Sequence, residues 1–162
     1  MKSRVLARSE PAEPELSADT LGDVLDFMRL LWAVDHGLQS RSKRMKRELG
    51  VTGPQRFALR IIGRKPGISA GALASVLHLD PSTLTGVLQR LEASGAIKRV
   101  VDRRDGRRAV LSLTARGRAL DGVKTRTVES AVRRALASVS KRDVATSRGL
   151  LTALVRELDA QE

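Results

Sequence analysis

The chain has 162 residues, of which 41% are hydrophobic and 2% aromatic, and its 30 lysines and arginines against 18 acidic residues give a net charge of +12. This length and composition predict one globular domain, and the charge predicts an anionic partner, either nucleic acid or a membrane surface. Because the chain has no cysteine, disulfides, thiol redox sensing and cysteine-ligated metals are excluded. No apolar run approaches the roughly 20 residues of a membrane span and no signal-peptide core is present, so we expect a cytoplasmic protein without a membrane partner.

Neither a metal site nor an enzyme active site is predicted. The remaining good metal ligands are His36 and His78, and a lone histidine in a helical segment is more often structural or solvated than a ligand. The acidic residues are typical of helix caps or helix surface, and no nucleophile stands beside a base. The sequence therefore predicts a protein that has no metal or cofactor and is not an enzyme.

The first ordered element is predicted to be a long helix. Residues 1–17 combine prolines and charges with few apolar residues, which predicts a flexible N-terminal tail. From 18 to 50, apolar residues recur at a spacing near 3.5 residues, which predicts one apolar seam along a helix. Gly22 and Gly37 are expected to weaken this helix only locally.

Two short helices with clear start signals follow. Thr52 and Gln55 form a capping box that opens a second helix ending near Arg64. Ser69 caps a third helix, which stops before Asp80. The apolar positions are Phe57, Leu59, Ile61 and Ile62 in the second helix, and Leu73, Ala74, Val76 and Leu77 in the third.

The fourth predicted helix is the most informative stretch of the chain. Asp80 is expected to cap it with its carboxylate, Pro81 fits its first position, and Gly95 fits a left-handed stop. One face is an apolar stripe of Leu84, Val87, Leu88 and Leu91. The other face has small or hydrogen-bonding side chains and no carboxylate: Ser82, Thr83, Thr85, Gly86, Gln89 and Arg90. Such a face suits a DNA major groove, and with the third helix it predicts a helix-turn-helix.

An arginine-rich hairpin follows this helix. Residues 96–101 and 109–113 favour strands, and Asp105-Gly106 between them is a turn signal. Four arginines belong to the loop: Arg103, Arg104, Arg107 and Arg108. They repel one another unless an anion binds them. A solvated charged turn is the alternative, but the position directly after the fourth helix favours DNA phosphate.

Two further amphipathic helices are predicted after the hairpin. Thr114 caps a fifth helix that runs to Val139, and Ser140 with Asp143 opens a sixth. Their apolar seams, together with that of the first helix, are more surface than one subunit easily buries. This predicts a homodimer.

Two side chains of the first helix are candidates for a ligand site. Trp32 and His36 lie one turn apart, so both can face the same small molecule. Core packing or a dimer contact is the more common use of such a pair.

Taken together, these motifs resemble the MarR family of winged helix-turn-helix transcriptional regulators. The resemblance rests on the capping box before Phe57, the run from Ile68 to Arg99, the wing sequence DRRDGRRAVLSLT and Gly117, and it covers about 21–158.

The resemblance implies roles that the residues alone do not. Arg107 is expected to enter the DNA minor groove, and Asp105 is expected to hold it in position. The first helix and the last two helices are expected to form a homodimer. A small-molecule effector is expected to bind where the dimerisation and DNA-binding parts meet.

The predicted fold is mainly α (α+β), a winged helix-turn-helix with a two-stranded β wing and N- and C-terminal dimerisation helices. We expect a tail (1–17), a dimerisation helix (18–50), a DNA-binding domain (51–114) and C-terminal dimerisation helices (115–162). The predicted function is a sequence-specific regulator of double-stranded DNA, a repressor that binds a pseudo-palindromic operator as a homodimer. The alternative is a sequence-neutral architectural DNA-binding protein, which would not prefer one duplex by a factor of about 10³.

Overall fold

The computed structural model describes residues 18–101 and 109–160. Within them lie seven helices and two strands: α1 (Ala18–Leu49), α2 (Gly53–Arg64), α3 (Ala70–Leu77), α4 (Pro81–Ala93), β1 (Ile97–Val101), β2 (Ala109–Leu113), α5 (Ala115–Gly122), α6 (Val128–Ala137) and α7 (Lys141–Asp159). This mainly helical architecture with one two-stranded antiparallel sheet confirms the predicted fold class. The predicted tail lies outside the described residues, as does the wing tip at 102–108.

The chain divides into two compact units, one comprising α1 up to Gly37 and the other everything from Leu38 onward. None of the helices in the described part combines the length and the apolar content that a membrane span requires.

The core of the second unit lies between α2, α3, α4 and the sheet. β1 pairs with β2 from Ile97 opposite Leu113 to Val101 opposite Ala109. The N–H of Leu111 also donates to the carbonyl of Ile68 over 3.0 Å, so the chain just before α3 is tied to the sheet. The largest fully buried apolar side chains of this core are Leu59, Ile62, Leu73, Leu88, Leu91 and Leu111.

The first helix departs from its prediction at Gly22. The backbone there has φ +72° and ψ 164°, which is outside the helical region and accessible mainly to glycine. Gly22 therefore interrupts the helix, whereas Gly37 remains helical. Further along α1, Met45 is fully buried, so the end of this helix is packed within the second unit.

The predicted fifth helix, from Thr114 to Val139, is wrong in its extent. The chain leaves the helix at Val123, Arg126 has a φ of +58°, and α6 begins only after Thr127. Thr127 and Ser130 form a capping box whose residues are 1% and 6% exposed. A buried box of this kind satisfies the free N–H groups of a new helix start, which favours two helices over one.

Three further start signals are confirmed. Thr52 and Gln55 form the capping box of α2, Ser69 accepts a hydrogen bond from the N–H of Ala72, and Ser140 with Asp143 opens α7. Local capping therefore determines where most of these helices begin.

Candidate DNA-binding interface

The α4 helix directs its apolar stripe into the core and its polar face to solvent. Leu84, Val87, Leu88 and Leu91 are at most 6% exposed, as predicted. Gly86 is partly exposed, and the other residues of the predicted polar face are exposed: Ser82, Thr83, Thr85, Gln89 and Arg90. Because one face is anchored, the other is displayed in a fixed orientation, which is what entry into a groove requires.

The start of α4 confirms one prediction and corrects another. The helix begins at Pro81, and Gly95 after its end has the expected positive φ, +69°. Asp80 occupies the N-cap position, but its side chain makes no cap hydrogen bond. Asp80 is exposed, so water can solvate its carboxylate without help from the helix.

Side chains in the middle of the polar face already interact with their own helix. The hydroxyl of Thr85 donates to the carbonyl of Pro81 over 2.7 Å, so in this conformation it offers DNA its methyl group and its lone pairs. A Cβ built on Gly86 would lie 3.9 Å from Nη1 of Arg90. Because Gly86 has no side chain, the helix backbone is accessible there, next to the guanidinium of Arg90.

The base of the wing is described, and its tip is not. Val101 and Ala109 form the last described pair of the ladder, and Val101 is 67% exposed. Arg99 Nε donates to Glu92 Oε1 over 2.8 Å, which connects β1 to the end of α4 and neutralises that carboxylate. The predicted DNA contacts of the wing lie outside the described residues: Arg103, Arg104, Asp105, Arg107 and Arg108.

The start of α5 is fastened to the turn after α4. The hydroxyl of Thr114 donates to the carbonyl of Gly95 over 2.6 Å, and the N–H of Thr114 donates to the carbonyl of Ala96 over 3.1 Å. Gly117 packs directly on the carbonyl oxygen of Ala96, where no Cβ would fit. α5, which also contacts α2 and β2, therefore packs with the helices and the sheet that hold α4.

A buried guanidinium lies at the other end of α5. Arg56 of α2 is 2% exposed, and its Nε donates to Glu129 Oε1 of α6 over 2.9 Å. Arg60, one turn later, donates to Asp121 Oδ1 over 2.8 Å. We call Arg56, Arg60, Asp121 and Glu129 the arginine cluster.

The environment of Glu129 favours its charged form. Burial raises the pKa of this carboxyl, but its backbone N–H, the positive charge of Arg56 and the hydrogen bonds from Arg56 and Thr127 lower it more, so the pKa lies below its ordinary value of 4.5. The ion pair with Arg56 is therefore charged at neutral pH.

The described residues do not include a group of three or more histidine, aspartate or glutamate side chains arranged to hold a metal ion. A cavity of about 310 Å³ lies beside the arginine cluster and is lined mainly by charged and polar side chains.

Comparison with known proteins identifies this architecture. The MarR family model matches residues 51–109, from just before α2 to the first residue of β2. The HTH-type transcriptional repressor Mb2911 of Mycobacterium bovis is 33% identical over 120 residues, which cover 74% of this chain and 86% of that protein. This chain belongs to the MarR family.

Two further comparisons extend the finding. The HTH-type transcriptional regulator TtmR of Methylorubrum extorquens (strain PA1) is 43% identical over 72 residues, 44% of this chain and 37% of the relative. The S. aureus MepR structure, solved as a DNA complex, superimposes with a TM-score of 0.68 at 21% identity and covers 82% of this chain and 97% of MepR. The chain is thus a DNA-binding transcriptional regulator of the MarR family with the winged-helix fold.

The candidate ligand pair of this MarR-family chain lies on α1. Trp32 is 64% exposed, and His36, one turn later, is also exposed. Both belong to the unit that ends at Gly37. Their role in ligand binding stays a prediction.

Sequence reasoning missed the arginine cluster. Arg56 stands three residues before Leu59 and six before Ile62, so it continues the buried stripe of α2. A charged residue on a buried stripe was the available signal. Phe57, by contrast, is 48% exposed although it is aromatic.

Proposed function

We propose that this MarR-family chain is a homodimeric repressor that inserts α4 into the major groove of a pseudo-palindromic operator and lays its wing over the adjacent minor groove. The observation that carries the proposal is the exposed, acid-free polar face of α4 opposite a fully buried stripe. The net charge of +12 supplies attraction to phosphate. Support comes from the mycobacterial relative, which is named a repressor, and from MepR, which was solved with DNA. We place the protein in the cytoplasm, without an enzymatic role.

The C-terminal helices support the homodimer. α7 has no buried residue along its 19 residues. Large apolar side chains of α6, α7 and the segment between them are exposed: Val132, Leu136, Val139, Leu150, Leu151, Val155 and Leu158. Exposed apolar surface of this kind marks an interface, and a two-fold axis lets one surface cover its own copy. We therefore assign 18–50 and, within 115–162, α6 and α7 to dimerisation, and 51–114 to DNA binding, with α5 packed against the DNA-binding part.

Selection from a random duplex pool tests the function. We expect a pseudo-palindrome with half-site centres about 10 base pairs apart, bound at least about 10³-fold more tightly than bulk DNA. Enrichment of no sequence, or of a single asymmetric half-site, would contradict the proposal. A uniform affinity for all duplexes is the result expected of an architectural protein.

The dimer has its own test. Trp32 is the single tryptophan of the chain and is 64% exposed. Its emission should move to shorter wavelength with rising concentration, in step with the dimer mass measured by sedimentation. A monomer at micromolar concentration would contradict the homodimer.

We propose in addition that a small-molecule effector bound at Trp32 and His36 releases DNA. Such an effector acts only if it binds more tightly to a dimer whose two α4 helices are spaced wrongly for the operator. A tenfold loss of DNA affinity needs about 1.4 kcal/mol of difference between the effector's binding to that dimer and to the correctly spaced one. A compound screen in which Trp32 quenching and operator release are measured together tests this. Compounds that release DNA without changing Trp32 emission, and that release it equally well from a His36→Ala variant, would place the effector elsewhere.

A further inference from the structure

Residues 123–127 form the connection between the DNA-binding part of the second unit and its exposed apolar helices. We call this connection the joint. Before it, α5 is fastened to the turn after α4 by Thr114 and Gly117. After it come α6 and α7, which carry the proposed dimer surface. The angle between α5 and α6 at the joint therefore sets the orientation of α4 relative to the dimer axis. This step rests on the proposed function.

Arg56 binds both sides of the joint. On the α5 side, its two terminal nitrogens donate to the carbonyls of Leu120, Asp121 and Val123; the bond from Nη2 to Val123 measures 2.6 Å and that from Nη2 to Asp121 3.3 Å. On the α6 side, Nε donates to Glu129 Oε1 over 2.9 Å. One buried side chain thus fixes the end of one helix relative to the start of the next.

The chemistry of this position requires arginine. The last carbonyls of a helix lack intrahelical partners and carry partial negative charge, so a cation there is favourable. A guanidinium offers five N–H groups in a rigid plane and can serve four separate acceptors, whereas a lysine ammonium is a compact charge at a single atom. Lysine would keep the positive charge at this site but could not bind the α5 carbonyls and Glu129 at the same time.

We propose that Arg56 is a positioning residue for operator binding, because it fixes the angle of the joint and through it the separation of the two α4 helices in the dimer. A helix as long as α7 spans about 28 Å. Over that length, a rotation of about 7° moves the far end by about 3.4 Å, the rise of one base pair. Small changes at the joint are therefore large on the scale of half-site spacing.

The test compares wild type and Arg56→Lys on operators whose half-sites are moved apart or together by one and two base pairs, and on a duplex with one half-site. Wild type should bind best at one spacing. Arg56→Lys should reduce the preference for that spacing by about tenfold, within the usual range of coupling between sites, while affinity for the single half-site stays at the wild-type level.

Arg60→Lys is the matched control. Arg60 lies one turn along the same helix. In the part of the chain that the structure describes, its hydrogen bonds reach Asp121 on the α5 side, and its Nε approaches Glu129 Oε1 of α6 as an ion pair at 3.7 Å, which a lysine ammonium can retain. This variant should keep the spacing preference of the wild type. If Arg56→Lys does not fold, Glu129→Gln replaces it, since the amide removes the charge on the α6 side and leaves the α5 carbonyls bound.

The outcomes are distinct. Equal losses on every operator and on the half-site would mean that Arg56 only supports the fold, which overturns the inference, as would an unchanged spacing profile. A wild type with no spacing preference would instead overturn the proposed function itself.

Discussion

Gly117 of α5 lies against the carbonyl oxygen of Ala96, at the turn between α4 and β1, with no room for a methyl group. Because the two nearest atoms belong to the backbone of Ala96, a Cβ can enter only if α5 moves away from this turn. Gly117→Ala should therefore lower the free energy of unfolding by about 1–3 kcal/mol, as overpacking does elsewhere.

Gly122→Ala is the control for that prediction. Gly122 lies in the same helix, and a Cβ built there meets nothing within 4 Å. Urea unfolding should show a stability near that of the wild type for this variant and a clear loss for Gly117→Ala. Equal stabilities would mean that the contact relaxes without consequence.

Gly86→Ala should separate stability from DNA binding. The added Cβ makes only an ordinary contact with Arg90, and alanine favours a helix interior over glycine by about 0.5–1 kcal/mol. The fold should therefore gain stability while operator affinity falls, because a methyl group now stands on the groove-facing surface. Gly37→Ala in α1 should raise the stability of the fold without lowering operator affinity. Undiminished affinity in Gly86→Ala would show that the backbone of α4 stays away from the bases.

Gln89→Ala tests base recognition by α4. The exposed amide of Gln89 can pair with adenine, so its removal should relax preference at one operator position at a loss of about 1–3 kcal/mol. Arg103→Ala should instead weaken all duplexes alike and lower the salt slope by about one unit. Binding titrations on specific and random DNA distinguish the two. A Gln89→Ala variant that loses equally on both kinds of DNA would not be a reader of sequence.

Arg107→Ala tests the proposed role of the wing. A narrow A·T-rich minor groove concentrates negative potential and attracts an inserted arginine. The variant should lose more affinity on operators with A·T-rich flanks than on those with G·C-rich flanks, while the dimer stays intact by sedimentation. Equal losses on the two flanks would argue for a phosphate contact only.

Acidic pH should weaken the arginine cluster. The folded pKa of Glu129 lies below the ordinary value of 4.5, so its contribution to stability is present above that value and is lost as the pH falls through the folded pKa. At neutral pH the wild type should unfold at higher urea concentration than Glu129→Gln, and the difference should shrink below about pH 4.5. A difference that does not change with pH would mean that the charge of Glu129 contributes nothing. Asp121→Asn is the control, because it alters the neighbouring contact to Arg60 and leaves Glu129 in place. The stability difference between Asp121→Asn and Glu129→Gln should also shrink below about pH 4.5.

The parts of this protein that sequence reasoning predicted are those with local signals. The stripe from Leu84 to Leu91 follows the helical repeat, and the capping boxes lie within four residues. The arginine cluster could not be predicted in the same way, because Glu129 lies 73 positions from Arg56 and the Leu120 carbonyl 64 positions from it. Which helices meet is settled by packing of the whole chain, and no local repeat records it.

The division between α5 and α6 falls between these cases. Thr127 and Ser130 are a local signal, but Ser130 stands where a capping box usually has Glu or Gln. The apolar repeat across residues 120–136 is continuous, so it predicts one helix where the structure has two. The prediction that the Asp80 carboxylate caps α4 was wrong although the local signal was present. An exposed carboxylate can take its hydrogen bonds from water instead of from the N–H groups of the helix.

The absence of buried residues in α7 has a consequence for how the chain persists in a cell. Most helical stability in proteins comes from packing of an apolar face, so under the proposed homodimer most of the order of α7 comes from the second copy. Folding of this segment and association are then one equilibrium, and the melting temperature rises with protein concentration. Newly made chains at low abundance expose a segment open to proteases, whereas chains above the dimer dissociation constant protect one another. The amount of the regulator would thus control its own lifetime.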